Sequence, residues 1–228
     1  MMSEPRAPKA ISPPAELQAR IRAAIAQTKA PRMRVGMRLI LAFGVCVLCA
    51  GAVAMRVRPN LAALPIDTLL LSTGGILAVV AAALICAASP GKRGLGAPVA
   101  TLAAVAIGAA PLYACLAAAS PAHPAGADLD ATGGLDALVH GGLPCFVIAL
   151  VVGGVSLIAL AYALRHAVPA APVARGAALG AASGALSGLA LQLHCPSFTR
   201  MHILLAHAAP IVILALLGAV LAPRILRP

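Results

Sequence analysis

The stretch Leu143–Leu164, LPCFVIALVVGGVSLIALAYAL, contains no charged residue and decides the class of fold. An α-helix needs about 20 apolar residues to cross the ~30 Å hydrocarbon core of a bilayer. Comparable apolar runs lie at Leu39–Met55, Leu61–Ala88, Leu95–Ala119, Gly176–Leu193 and Met201–Ala222. Polar residues, Pro and Gly fill the segments between them. We therefore predict an all-α polytopic membrane protein with six transmembrane helices.

The composition of the whole chain agrees with exposure to lipid. Of its 228 residues, 61% are hydrophobic and only 10% are charged, whereas roughly a quarter of the residues in a soluble domain are charged. Aromatic residues make up 2% of the chain, and there is no Trp. Ala and Gly are abundant instead, and small residues allow membrane helices to approach closely. The composition excludes an ordinary water-soluble domain.

Basic residues are distributed unevenly between the two sides of the predicted membrane domain. With six spans, fourteen of the 17 Lys and Arg residues fall on the side of the two termini, and Arg56, Arg58 and Arg200 fall on the other. Short loops rich in Lys and Arg remain in the cytoplasm. We therefore expect both termini to be cytoplasmic, and we read the net charge of +11 as a topology signal. The start of the chain has Glu4 but no apolar run, so we do not expect a cleavable signal peptide.

Two domains follow from this pattern: a cytoplasmic tail, residues 1–36, and a transmembrane domain, residues 37–228. The first eleven residues of the tail are rich in Pro and poor in apolar residues, a composition typical of disorder. Residues 13–30 are predicted to form a short helix. Ser12 is suited to cap this helix, and Pro13 is suited to its first position.

One face of the predicted tail helix is apolar. Leu17, Ile21 and Ile25 recur at a spacing of four residues, and basic residues such as Arg22 flank them. Because a helix of this length is marginal in water without a partner, we expect the face to bind another surface. Two surfaces remain open: the anionic inner leaflet of the bilayer and a groove in a soluble protein.

The predicted topology brings distant cysteines and histidines to the same outer level. Cys145 opens the fourth span and Cys195 ends the fifth, while His194 precedes Cys195, and His202 and His207 lie in the first turns of the sixth. Thiolate and imidazole ligands suit zinc, copper(I) or cadmium, and two thiols in an oxidising compartment can form a disulfide. A third interpretation is simple packing of small apolar cysteines. Metal binding or a disulfide would link two spans, which suits a sensor.

Catalysis is not predicted. The sequence supplies no nucleophile, base and orienting group in the arrangement that a hydrolase uses, and no cofactor is required by any pattern in the chain. A soft or borderline metal ion is expected only as a signal.

The end of the chain, LQLHCPSFTRMHILLAHAAPIVILALLGAVLAPRILRP at residues 191–228, shows a family pattern. A Cys195–Pro196 pair is followed by His202 and, five residues later, by His207. An earlier cysteine, Cys145 in GGLPCF, opens the fourth span. These features resemble the NrsF-type anti-sigma factors of Gram-negative bacteria, which have a short cytoplasmic tail and six membrane helices.

The resemblance implies a function. The tail would bind an extracytoplasmic-function sigma factor at the bacterial inner membrane and keep it from RNA polymerase, without direct contact to nucleic acid. The candidate contacts are Leu17, Ile21, Arg22 and Ile25. A heavy-metal or oxidative signal at the periplasmic face would act at Cys145, Cys195 and Pro196 and release the sigma factor.

Three other functions compete with this one. A small membrane transporter or metal-resistance protein needs ionisable residues at mid-membrane, where the predicted spans have almost none. A membrane thiol–disulfide enzyme needs a reactive thiol pair near the outer face, whereas Cys46 and Cys49 lie in the middle of the first span. A structural protein without a sensing role fits the small-residue helix faces equally well.

Overall fold

The computed structural model describes residues 14–27, 32–55, 65–89, 97–118, 142–165, 171–195 and 200–225. Within these ranges every regular element is helical, which confirms the predicted all-α class. Contacts between residues divide the chain into two units, Met1–Arg34 and Val35–Pro228.

The first unit contains helix α1, Ala15–Gln27. It covers thirteen residues of the helix predicted over residues 13–30, and positions 13 and 28–30 lie outside the described ranges. The side chain of Leu17 is 48% exposed. Ile21, Arg22 and Ile25 lie within the same helix.

Long helices make up the second unit. They are α2 (Arg32–Ala54, which begins in the first unit), α3 (Ile66–Ala88), α4 (Val99–Ala118), α5 (Leu143–Leu164), α6 (Pro172–His194) and α7 (Ala209–Ile225). The last span also includes a short helical turn, Arg200–His202, and a π-helix, Ile203–Ala208, which we call the π segment. Five spans, from α3 to the last, are long and apolar enough to cross a membrane. The chain is a polytopic membrane protein.

The first predicted span differs from the other five. Helix α2 is 23 residues long, but its apolar part is only Ile40–Ala54. Arg32, Arg34 and Arg38 occupy its first two turns and shorten the apolar part. At 1.5 Å per residue that part is about 22 Å long, less than the ~30 Å of a hydrocarbon core. In the described part of the chain, five spans of sufficient length are therefore found where six were predicted, and α2 is the helix that falls short.

Helix α6 occupies the middle of the bundle and packs against α3, α4, α5 and α7. Its most apolar stretch is 83% buried, whereas the corresponding stretches of the other four long spans are 22–44% buried. Ala, Gly and Ser dominate its sequence, because only small side chains leave room for helices on all sides. The surrounding helices expose large apolar side chains such as Leu70, Ile107 and Ile158, which suits contact with lipid.

Close contact between α6 and α7 depends on glycine. A Cβ atom added to Gly180 would meet the carbonyl of Leu214, a backbone atom that no rotamer change can move. A Cβ atom added to Gly176 or to Gly184 would likewise meet backbone atoms of α7. The regular spacing of these glycines therefore serves packing between helices of one chain. Glycines four residues apart lie on the same face of a helix and allow another helix to approach its backbone closely.

Arg175 is buried in the first turn of α6 and donates hydrogen bonds to backbone carbonyls at the end of α3. The predicted fifth span began after it, at Gly176, yet the side chain of Arg175 is only 2% exposed. Its Nη1 atom donates a hydrogen bond to the carbonyl of Ala87, and both terminal nitrogens lie 3.5 Å from the carbonyl oxygen of Ser89. The last carbonyls of a helix have no partner within the helix. Arg175 thus fixes the start of α6 to the end of α3.

Candidate metal-binding site

Four predicted ligands meet at one end of the bundle. Cys145 lies in the first turn of α5, Cys195 directly follows α6, and His202 and His207 lie at the start of the last span. One potential ligand atom from each residue lies within 4.8 Å of those of the other three. Cys195, His202 and His207 are buried, and Cys145 is partly exposed. We call these four residues the Cys2His2 cluster.

Two distances in the cluster resemble the edges of a metal-centred tetrahedron. The sulfur atoms of Cys145 and Cys195 are 3.7 Å apart, and the Cys195 sulfur lies 3.2 Å from Nε2 of His202. Zinc–sulfur and zinc–nitrogen bonds of about 2.3 and 2.0–2.1 Å give tetrahedral edges of about 3.8 Å between sulfurs and about 3.6 Å between sulfur and nitrogen. The residues present therefore fit a four-coordinate ion, and the other edges need to contract by about 1.5 Å at most.

The π segment brings His202 and His207 to the same face of the last span. In an α-helix, residues five apart are rotated by about 140° from each other. Backbone hydrogen bonds in a π-helix join residues five apart, as the bond from the Ala209 N–H to the Leu204 carbonyl does here. Residues five apart then lie one above the other. The two imidazole centroids are accordingly 5.0 Å apart.

Pro210 provides a local reason for the π segment. Proline has no N–H to donate, and in a regular α-helix its ring would clash with the carbonyl four residues earlier. A wider turn immediately before the proline relieves both problems. The π-helix, Ile203–Ala208, ends two residues before Pro210.

A fourth element reaches the cluster through Tyr113 of α4, which was not predicted. Its hydroxyl donates a hydrogen bond of 2.8 Å to the carbonyl of Gly188 and lies 3.4 Å from Nδ1 of His207. Nε2 of His207 is buried without a hydrogen-bond partner in the described part of the chain. The signal in the sequence was weak: one of only two tyrosines, within an apolar helix, where a buried hydroxyl needs a partner.

A family model described as NrsF, negative regulator of sigma F, matches residues 22–227. The chain belongs to the NrsF family. No curated protein and no solved structure matches the chain. The protein is thus a negative regulator of a sigma factor, and the resemblance seen at residues 191–228 is confirmed.

The remaining candidate residues of this NrsF-family chain lie elsewhere. His194 is the last residue of α6 and lies outside the cluster. Pro196 is not among the described residues. The four tail candidates lie on α1, in the first unit, and only Arg22 and Ile25 fall within the matched range.

The chemistry of the cluster follows from its donors. Two thiolates and two imidazoles suit zinc, cadmium or copper(I). A disulfide between Cys145 and Cys195, whose sulfurs lie 3.7 Å apart, would require their sulfurs to approach to about 2.05 Å. Either event would join the start of α5 to the end of α6. Only a metal ion would also engage His202 and His207.

Proposed function

We propose that this NrsF-family protein holds an extracytoplasmic-function sigma factor at the bacterial inner membrane through its N-terminal tail and releases it when a soft metal ion binds the Cys2His2 cluster. The observation that carries the proposal is the convergence of four donor residues within 4.8 Å. These donors come from α5, α6 and the π segment, so one ion contacts three parts of the bundle. A ligand shifts an equilibrium only by binding two conformations unequally. An ion that draws the ligand atoms of the cluster closer together binds the contracted arrangement more tightly than the open one, and it therefore meets this condition.

Oxidation of Cys145 and Cys195 would act on the same helix ends and is the second signal that the cluster suits. We favour a metal ion because His202 and His207 would have no role in a disulfide. Both histidines are buried, at 4% and 3% exposure, and Nε2 of His207 has no hydrogen-bond partner in the described part of the chain, where a buried polar atom needs one.

The mechanism requires the tail and the cluster to lie on opposite sides of the membrane, which in turn requires α2 to cross. Membranes adapt to a short apolar helix by local thinning, and long basic side chains at its end extend toward the headgroups. Arg32, Arg34 and Arg38 lie in the first two turns of α2. The excess of basic residues on the side of the termini supports the same orientation.

Topology reporters fused before Met1 and after Pro228 are expected to report the cytoplasm in both cases. The reason is that six crossings return the chain to its starting side, whereas five do not. Reporters on opposite faces would place the tail and the cluster on the same side and would contradict signalling across the membrane.

The role of the tail is tested by purification from membranes with a tag at the C-terminus. We expect a sigma factor to co-purify with the full chain and to be lost when residues 1–31 are deleted. Leu17→Glu should lower the recovered sigma factor about 10-fold or more, since burying a leucine contributes about 1.5–3 kcal/mol. Ala19→Glu is the matched control, because Ala19 is also exposed and lies about 160° around the helix from Leu17. Equal recovery with Leu17→Glu and Ala19→Glu would argue against binding through this face.

A further inference from the structure

We propose that Tyr113 is a positioning residue of the metal site, which holds His207 in the tautomer that presents Nε2 to the ion. This inference rests on the proposed metal-binding function. Tyr113 supplies no metal ligand itself, and α4 contributes no residue to the Cys2His2 cluster. Its hydroxyl nevertheless connects α4 to both α6 and the π segment.

The direction of the hydrogen bonds follows from the chemistry of the partners. A tyrosine hydroxyl has one hydrogen to donate, and a backbone carbonyl can only accept. The hydrogen of Tyr113 is therefore committed to the carbonyl of Gly188, at 2.8 Å. The remaining contact, 3.4 Å to Nδ1 of His207, then requires Nδ1 to be the donor. A neutral imidazole with a protonated Nδ1 has its lone pair on Nε2.

The environment of His207 favours the same assignment. The residue is 3% exposed, and its Nε2 atom has no hydrogen-bond partner among the residues that the structure describes. An unpaired polar atom in a buried position is unfavourable, and such atoms are rare in native proteins. A metal ion at Nε2 would satisfy it. Metal-binding histidines almost always donate their second N–H to a neighbouring oxygen, and the phenolic oxygen of Tyr113 is in that position.

Packing holds the tyrosine in place. Tyr113 is fully buried, and a Cβ atom at Gly188 would lie 2.8 Å from its ring. The fourth glycine of α6 thus accommodates the aromatic ring, whereas the other three accommodate α7. Because the ring cannot move away, the hydroxyl remains beside His207 before any ion arrives.

The test compares Cd(II) affinity of the full-length purified protein in its wild-type form with that of Tyr113→Phe. We expect Tyr113→Phe to bind about 10- to 100-fold more weakly, the range seen when a partner of a metal ligand is removed. Tyr162→Phe is the matched control, since Tyr162 is the other tyrosine of the chain and is exposed on α5; its affinity should equal that of the wild type. Unchanged affinity in Tyr113→Phe would overturn the positioning role.

A double-mutant cycle separates positioning from general packing. If Tyr113 acts through His207, then Tyr113→Phe should not weaken Cd(II) binding further when His207→Ala is already present. Equal weakening in both backgrounds would show that Tyr113 acts independently of His207 and would overturn the inference. If the wild type itself binds no Cd(II), the proposed function fails, and the two failures are thereby distinguishable.

A measurement on the wild type does not depend on the folding of any variant. With ¹⁵N-labelled histidine and ¹¹³Cd(II), the nitrogen of His207 that couples to cadmium should be Nε2, and Nδ1 should carry a proton. Coupling of cadmium to Nδ1 of His207 would contradict the proposed tautomer, because Nδ1 would then carry no proton to donate to the hydroxyl oxygen of Tyr113.

Discussion

Replacing Cys195 with Ser is expected to lower the affinity for Cd(II) by more than about 100-fold while binding of the sigma factor is retained. Loss of a partner of a ligand costs about 10–100-fold, and loss of a ligand itself should cost more. Cys195 makes two close contacts in the cluster, to the sulfur of Cys145 and to Nε2 of His202. A serine hydroxyl is a hard and weakly acidic donor that cannot replace a thiolate for a soft ion.

The response in cells should follow the affinity. In a strain with a reporter for the sigma factor, both Cys195→Ser and Cys145→Ser should remain repressed after metal exposure, because the tail is unaltered. Cys115→Ser is the matched control, since Cys115 is exposed and outside the cluster, and it should respond like the wild type. Normal induction in the Cys145 and Cys195 variants would remove both thiols from the mechanism.

Replacing Gly180 with Ala is expected to destabilise the membrane domain by about 3 kcal/mol, at the upper end of the typical cost of overpacking. The added methyl group would meet the carbonyl of Leu214 and lie 2.8 Å from the Cα atom of Ala215. Since both are backbone atoms, α6 and α7 would have to separate. Loss of that contact affects the most buried helix of the bundle.

The control for this substitution is Gly154→Ala on α5, where an added Cβ would have no neighbour within 4 Å. Alanine is a better helix former than glycine by about 0.5–1 kcal/mol, so this variant should be as stable as the wild type or slightly more so. Thermal unfolding in detergent, followed by the fraction of monodisperse protein, measures both. Equal midpoints for Gly180→Ala and the wild type would contradict the close packing of α6 on α7.

Apolar runs were sufficient to predict most of the fold. Helix α5 has the boundaries expected from its composition, Leu143–Leu164. The predicted fifth span began at Gly176, whereas α6 begins at Pro172, because a buried arginine cannot be distinguished from a loop arginine without knowing that α3 ends beside it. The first predicted span, Leu39–Met55, nearly coincides with the apolar part of α2, Ile40–Ala54, and it was counted as a crossing although it is shorter than the about 20 residues that a crossing needs.

The candidate site was predicted less completely. Topology alone brought Cys145 and Cys195 to one level, because it depends only on the order of the spans. The close approach of the His202 and His207 rings depends on the backbone hydrogen bonds of the π segment, which join residues five apart and which composition does not reveal. The contacts of Tyr113 join residues 75 and 94 positions apart in the chain, and no local pattern indicates which apolar helices become neighbours.

The π segment changes how histidine pairs in this region of the chain should be compared between related proteins. A regular α-helix aligns residues four apart, so its two imidazoles would have to be separated by three residues instead of the four found here. The extra residue and the wider turn compensate for each other. Relatives that differ in this interval by a one-residue insertion or deletion can therefore present the same pair of ligands, provided that the winding of the helix changes with it.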